Sequence, residues 1–197
     1  MIPALGLPQI LVLDTCVLIS NVLRRALLDL AVQGCFQVAW SPVIGDEWRR
    51  NAARLWGVGD DDIARQWHEL QCEFPFADQG DIETYKQGLR RSDPKDWHVV
   101  AAARRALVRQ PGSQVAVLTR NLKDFNRSEL RSFGLGLIDP DLFLIRCHGQ
   151  HPAAVLSMLE RLPEQVVPPG RDIEPLSVLL RRERLFRFSK LVLEMPA

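Results

Sequence analysis

Ile10-Leu-Val-Leu-Asp14-Thr-Cys-Val-Leu-Ile-Ser20 begins with four apolar residues, a run too short to form a helix by itself. We predict that this run is a central parallel strand, covered on both faces and ending at Asp14. Ligands of open α/β sheets bind at the carboxyl ends of the strands, so Asp14 is a candidate functional residue. Alternatively, Asp14 is only a helix N-cap, because apolar residues at helical spacing predict one helix over 17–30.

The composition is that of an ordinary globular protein, with 197 residues and a formal net charge of +1. So small a charge excludes a strong overall attraction to nucleic acid, and any RNA binding must rely on local basic patches. The four cysteines show no C-x-x-C spacing, which argues against a zinc site and for a reducing compartment. Because no signal peptide or membrane span is recognisable, we expect a cytoplasmic protein without membrane contact.

Short apolar segments alternate with helical patterns along most of the chain. Further strands are predicted at 36–40, 114–118 and 134–138. This alternation predicts βαβ units with right-handed crossovers, and therefore a parallel sheet. The pattern changes near residue 146, which divides the chain into a domain at 1–146 and a helical extension at 147–197. In the extension we expect a helix around 155–162, a proline-rich connector at 163–175 and one helix at 176–193.

Four acidic residues occupy similar places in this pattern: Asp14, Glu47, Asp96 and Asp124. Each lies just after a predicted strand or early in a helix, and such positions gather at one edge of a parallel sheet. Carboxylates a few Å apart repel by about 4 kcal/mol per pair at an effective dielectric constant of about 20, so a cluster needs a cation or protons. Ligands that are all oxygen suit Mg²⁺ or Mn²⁺, which can promote phosphodiester hydrolysis.

Simpler structural roles are open to some of these acids. Glu47 can form an ion pair with Arg50 or Arg54 on its own helix. Asp93 is predicted to cap the following helix, whereas Asp96 falls in the first helical turn, where the helix dipole favours a carboxylate. Spacing alone therefore leaves the number of true site residues open.

Five blocks of sequence, taken together and in order, resemble the PIN-domain family over roughly residues 8–146. The blocks are Leu13-Asp14-Thr-Cys-Val-Leu-Ile-Ser20, Trp40-Ser-Pro-Val-Ile-Gly-Asp-Glu47-Trp48, Asp93-Pro-Lys-Asp96-Trp-His-Val-Val-Ala-Ala-Ala103, Leu118-Thr-Arg-Asn-Leu-Lys-Asp124-Phe125 and Pro140-Asp-Leu-Phe-Leu144. The similarity is greatest to the bacterial VapC-type toxin branch. It implies a three-layer α/β/α PIN-like fold with a central parallel sheet, followed by the small C-terminal helical extension.

The resemblance also implies an activity, that of a Mg²⁺- or Mn²⁺-dependent endoribonuclease. Such a toxin is restrained by a cognate antitoxin protein and often forms a homodimer. The metal would be bound by Asp14, Glu47 and Asp96, with Asp124 as the fourth acid. Asn121 stands where many members place aspartate, which leaves open whether one or two ions bind. In the first block, Cys16 replaces a frequent asparagine.

The remaining predicted site residues support the acids or contact RNA. Thr15, Thr119 and Asn121 would supply additional oxygens near the metal. The candidates for contacts with RNA are Arg49, Arg50, His98, Arg120 and Lys123. Two other functions stay open: a PIN-domain nuclease that processes RNA without an antitoxin, and a degenerate PIN domain that acts only as a binding module, for which Asn121 is the argument.

Overall fold

The computed structural model describes residues 6–168 and 170–194. Its centre is a sheet of four parallel strands in the order β2-β1-β3-β4. The strands are β1 (Ile10–Leu13), β2 (Gln37–Ala39), β3 (Val115–Leu118) and β4 (Leu135–Ile138). The predicted α/β class with a parallel sheet is therefore confirmed, and it is compatible with three layers.

Strand β1 lies inside the sheet, between β2 and β3. Leu11 pairs with Val38 on one side and with Ala116 on the other. All four residues of β1 are buried, as an uninterrupted apolar run predicts for a strand covered on both faces. Asp14 follows β1 directly and is only 6% exposed, so its carboxylate lies at the carboxyl edge of the sheet.

The helix predicted over 17–30 is two helices, α1 (Thr15–Leu18) and α2 (Asn21–Val32). Between them Ser20 adopts an extended conformation and accepts a 3.1 Å hydrogen bond from the amide of Leu23. A serine hydroxyl at this position satisfies an N–H group that has no partner within the helix, which favours starting a new helix here. The apolar spacing alone was continuous across the break and therefore misleading.

The crossover after β2 contains α3 (Pro42–Trp56) and α4 (Asp60–Glu73). Helix α3 begins as predicted, with Ser41 accepting a hydrogen bond from the amide of Ile44 and Pro42 in the first helical position. Beyond a 3₁₀ turn at Glu83–Lys86, a second such turn at Pro94–Asp96 leads into α5 (Trp97–Arg109). Helix α5 packs on β1 and β3, and its alanines 101–103 are buried.

A third 3₁₀ turn, Leu122–Asp124, follows β3 and precedes α6 (Arg127–Ser132). After β4 come α7 (Pro140–Gln150) and α8 (Pro152–Val166). Pro163 was expected to open a connector, but it lies inside α8, which continues to Val166. Leu162 and Val166 are buried in the core on either side of the proline, and their packing stabilises the last turn in spite of the missing N–H.

The single helix expected at 176–193 is also two helices, α9 (Leu176–Arg182) and α10 (Phe186–Leu193). The chain turns between them at Arg184, which has a φ of 58°. Because an α-helix requires negative φ, this residue ends the regular helix. Helix α10 packs against α7, and α8 packs against α2, while the boundary placed at residue 146 lies inside α7.

The part of the chain that the structure describes contains no helix that is both long and apolar enough to cross a lipid bilayer. The four cysteines are free thiols. Cys147 is buried, Cys16 and Cys35 are partly buried, and Cys72 is exposed.

Candidate functional site

Three of the four predicted acids line one cavity of about 330 Å³ at the carboxyl edge of the sheet. Asp14 reaches it from the end of β1, Glu47 from the second turn of α3 and Asp96 from the start of α5. The predicted supporting residues Thr15 and Asn121 also line it. The remaining lining residues are Cys16, Ile19, Asn51, Leu55 and Lys95.

The carboxylate of Asp14 is oriented by neighbours on two loops. Its Oδ2 accepts a 2.6 Å hydrogen bond from the Thr119 hydroxyl and a 3.2 Å hydrogen bond from the Cys16 thiol. The Thr119 hydroxyl in turn accepts a 2.9 Å hydrogen bond from the Asn121 amide N–H. Although Asp14 immediately precedes α1, its side chain makes no capping hydrogen bond, so the capping alternative does not describe what this carboxylate does.

Glu47 is held by Thr15 and lies beside His98, rather than pairing with an arginine of its own helix. Its Oε2 accepts a 2.8 Å hydrogen bond from the Thr15 hydroxyl and lies 3.3 Å from His98 Nε2. The contact with His98 is the main cause that lowers the pKa of Glu47, and it acts against partial burial. Arg54, one of the two expected partners, donates to Asn51 instead, and Arg50 acts on Glu47 only through its charge.

His98 lies inside the protein beside Glu47, although its sequence position predicts a contact with RNA. The side chain is buried, and its Nδ1 lies 2.8 Å from the carbonyl oxygen of Lys95. Since a carbonyl oxygen can only accept, Nδ1 carries a proton and donates it to that bond. The ring Nε2 lies 3.3 Å from Glu47 Oε2 without the geometry of a hydrogen bond, so this contact is attractive only when the ring carries a second proton, on Nε2.

Asp124 belongs to a neighbouring group with Asp93 and Asp96, in which one ligand oxygen from each carboxylate lies within 4.8 Å of the others. The Asn121 side-chain amide donates a hydrogen bond to Asp124, and the ammonium of Lys95 lies 3.3 Å from Asp93 and 3.5 Å from Asp124. Asp93 also accepts the 3.1 Å capping bond from the Lys95 amide that the sequence predicts. The sequence pattern predicts only a capping role for Asp93 and does not indicate its place beside the other acids.

Asp96 stands between the cavity acids and this second group. Burial, followed by the charges of Asp14 and Asp124, raises the pKa of its carboxyl to about 6. Its Oδ2 is buried and has no hydrogen-bond partner among the described residues. Because an unpaired buried carboxylate oxygen is unfavourable, a cation between these acids would remove a real electrostatic cost.

The residues therefore fit a hard divalent cation. Asp93, Asp96 and Asp124 would hold it, because among the described residues their carboxylate oxygens lie within 4.8 Å of one another, whereas the predicted set Asp14, Glu47 and Asp96 shares a cavity without meeting this closely. Such a donor set, without histidine nitrogen or thiolate, suits Mg²⁺ or Mn²⁺ better than zinc. Asp96 belongs both to this group and to the cavity lining, which makes it the central acid of the site.

The arginines and the lysine expected to contact RNA lie outside the cavity lining. Arg49 pairs with Asp46 on the outer face of α3, and with Arg50 it lines a separate surface depression. Arg120 pairs with Glu183 in the turn between α9 and α10, and Lys123 is exposed. Lys95 is the basic residue at the cavity itself, and its position between Asp93 and Asp96 is the signal that could have revealed it.

Glu129 was not anticipated from the sequence. It is 6% exposed, and its two carboxylate oxygens accept four hydrogen bonds from the segment 90–92 just before Asp93. Burial raises the pKa of Glu129, but these hydrogen bonds outweigh burial and lower it. The motif Asn126-x-x-Glu129 predicts only a local capping box, and a local pattern cannot indicate a partner almost forty residues away.

Comparison with protein-family models finds no match to the chain, and comparison with curated proteins and with solved structures finds none either. Membership of the PIN-domain family therefore stays a prediction that rests on the five sequence blocks.

Proposed function

We propose that this protein is a Mg²⁺- or Mn²⁺-dependent endoribonuclease that hydrolyses RNA phosphodiester bonds. The environment of Asp96 is the observation that supports the proposal best. Its buried Oδ2 has no hydrogen-bond partner among the described residues, and the charges of Asp14 and Asp124 both act on its carboxyl. A cluster of this kind, at the carboxyl edge of a parallel sheet, is stabilised by a divalent cation. The sequence resemblance to PIN domains adds RNA as the substrate.

The protein contributes a site that is organised before substrate arrives. Thr119 and Cys16 fix the orientation of Asp14, while the Thr15 hydroxyl fixes Glu47. When bound, a divalent cation supplies the Lewis acidity that phosphodiester hydrolysis requires. Carboxylates already held in place need little reorganisation during the reaction, which is the source of their catalytic value.

Lys95 extends this proposal to the substrate. Its side chain is 66% exposed at the mouth of an otherwise acidic cavity. An ammonium at this position can contact a phosphate of the RNA and offset part of the repulsion between the RNA and the acids. Phosphate contacts of this kind position a nucleic acid without reading its sequence.

A toxin role, with a cognate antitoxin as partner and a homodimer as the assembly, rests on the resemblance alone. The alternative nuclease, which processes RNA without an antitoxin, would use the same residues. A binding module without activity is favoured by one observation, because Asn121 and Lys95 both engage Asp124 and reduce its availability to a metal. Inducing the protein in bacteria separates toxin from processing enzyme: a toxin arrests growth, and the Asp14→Asn variant does not.

Cleavage of an RNA pool by the purified protein tests the enzymatic proposal. We expect cleavage in Mn²⁺ or Mg²⁺, none in EDTA, and a loss of activity in Asp14→Asn and Asp96→Asn. Asp46→Asn is the matched control, because Asp46 is an exposed acid on α3 that pairs with Arg49 outside the cavity. If no RNA is cleaved and calorimetry detects no Mn²⁺ binding, the enzyme proposal fails and the binding module is favoured.

A further inference from the structure

Glu129 connects the segment 90–96, which carries Asp93 and Asp96, to the segment 121–129, which carries Asp124. It is the third residue of α6, and its Oε1 accepts hydrogen bonds of 2.6 Å and 2.8 Å from the amides of Arg90 and Arg91. Its Oε2 accepts hydrogen bonds of 2.8 Å and 2.7 Å from the amide and the hydroxyl of Ser92. Hydrogen bonds to an ionised acceptor are the stronger kind, and these four, three of them from backbone amides, immobilise this short stretch of chain.

The same two segments are joined at two further points. The Ser92 hydroxyl accepts a 3.1 Å hydrogen bond from the amide of Asn126, and the amide of Asp93 donates a 2.8 Å hydrogen bond to the carbonyl oxygen of Asp124. The distance in sequence is large, since Ser92 and Glu129 are 37 residues apart. The placement of Asp93 beside Asp124 therefore depends on these contacts.

An opposing force acts at this point of the fold. Asp93, Asp96 and Asp124 have carboxylate oxygens within 4.8 Å of one another, and like charges at such distances repel. Without a metal ion, this repulsion acts to separate the segment 90–96 from the segment 121–129, and the Lys95 ammonium, 3.3 Å from Asp93 and 3.5 Å from Asp124, offsets part of it. Glu129 lies outside the acidic group, and its carboxylate accepts hydrogen bonds from backbone N–H groups. It therefore holds the segments together without adding another metal ligand.

We infer that Glu129 is a positioning residue for the candidate metal centre. It fixes the loop at 90–92 so that the carboxylates of Asp93 and Asp96 stay close to that of Asp124. The inference rests on the proposed function. Glu129 contacts neither metal nor substrate and acts only through the acids. Residues of this kind typically change metal affinity by 10–100-fold when they are altered.

The test is Glu129→Gln, which keeps the size of the side chain but replaces one acceptor oxygen by an NH₂ group that cannot accept hydrogen bonds from the segment 90–92. We expect Mn²⁺ affinity, measured by calorimetry, to fall by about ten-fold or more. Hydrogen exchange at the amides of residues 90–92 should accelerate. RNA cleavage should be lost at low Mn²⁺ and recover at high Mn²⁺, which a merely unfolded fraction would not do.

Asp141→Asn is the matched control. Asp141 is another buried carboxylate, and it accepts hydrogen bonds from the amides of Arg187 and Phe188 at the start of α10. This variant should lose comparable folding stability while it keeps the Mn²⁺ affinity of the wild type.

Three outcomes would overturn the inference. If Glu129→Gln binds Mn²⁺ as the wild type does, Glu129 is not a positioning residue. If both variants lose Mn²⁺ affinity in proportion to stability, Glu129 is only structural. If the wild type binds no Mn²⁺, the proposed function and the inference fail together, whereas the first two outcomes leave the proposed function intact.

Discussion

The hydroxyl of Thr119 donates a 2.6 Å hydrogen bond to Oδ2 of Asp14, although the two residues are 105 positions apart in the chain. They meet because Leu13 pairs with Leu118 across the neighbouring strands β1 and β3, and each polar residue comes next after its strand. Both side chains are buried. The central sheet therefore orients the first acid of the site directly.

Thr119→Val keeps the shape of the side chain but removes this hydroxyl. The change leaves Asp14 with the weak Cys16 thiol donor, and the Asn121 amide loses its acceptor. We expect the free energy of unfolding to fall by about 1–3 kcal/mol, the cost of leaving buried polar groups unsatisfied, and RNA cleavage to decrease. Urea denaturation and the cleavage assay measure the two effects. Thr84→Val, at an exposed threonine, is the control, and equal losses in both variants would contradict the assigned role.

Asp96→Asn should stabilise the metal-free protein at neutral pH while it abolishes cleavage. The pKa of Asp96 is raised to about 6 by burial and nearby acids, so the folded state binds this proton more tightly than the unfolded state. The contribution of Asp96 therefore makes the metal-free protein less stable as pH rises from about 4 to about 6, and the loss persists above. After allowance for solvent screening, the gain in the variant at pH 7 should be about 1 kcal/mol.

Denaturation in EDTA at several pH values checks this sign. The difference in unfolding free energy between Asp96→Asn and the wild type should grow through the window from pH 4 to 6, whereas Asp46→Asn should show no such growth. A variant that is less stable than the wild type at pH 7 in EDTA would show that the acids around Asp96 do not repel it as the structure indicates.

Gly45→Ala should destabilise the protein even though alanine is the better helix former. Gly45 lies on α3 against the indole of Trp67 on α4, and a Cβ there would stand 2.4 Å from Cζ2 of that ring. The helical preference for alanine contributes about 1 kcal/mol, but overpacking of this kind costs about 1–3 kcal/mol. Thermal denaturation should show a lower midpoint. Gly149→Ala, in α7 with open space around it, should raise the midpoint slightly; if both variants were stabilised, the close contact between α3 and α4 would be wrong.

Leu162→Ala tests whether α8 is part of the main core. Leu162 is fully buried in the same apolar cluster as β1. The substitution should lower the free energy of unfolding by about 2–5 kcal/mol, because it removes buried methyl groups and leaves a cavity. The control is Leu156→Ala on the same helix, where the side chain is 43% exposed and the loss should be small. A small loss at Leu162 as well would indicate that α8 packs only loosely on α2.

Local patterns predicted the helix boundaries only where the local chemistry was decisive. Ser41 and Pro42 marked the start of α3 correctly because a cap and a first-turn proline act within one turn. The breaks at Ser20 and Arg184 were missed because the apolar spacing continues across them. At Pro163 the prediction failed in the opposite direction, since tertiary packing stabilised a helical turn that propensity disfavours.

The sequence by itself determined the strands of the sheet, their parallel arrangement and the sheet edge at which Asp14 follows its strand, because apolar runs and βα alternation are properties of neighbouring residues. Only the tertiary structure decided that Asp93 joins Asp96 and Asp124, that His98 faces Glu47 and that Glu129 holds the loop at 90–92. These relationships join residues far apart in the chain, and they depend on the direction in which each side chain leaves its backbone. Spacing along a sequence contains no information on either.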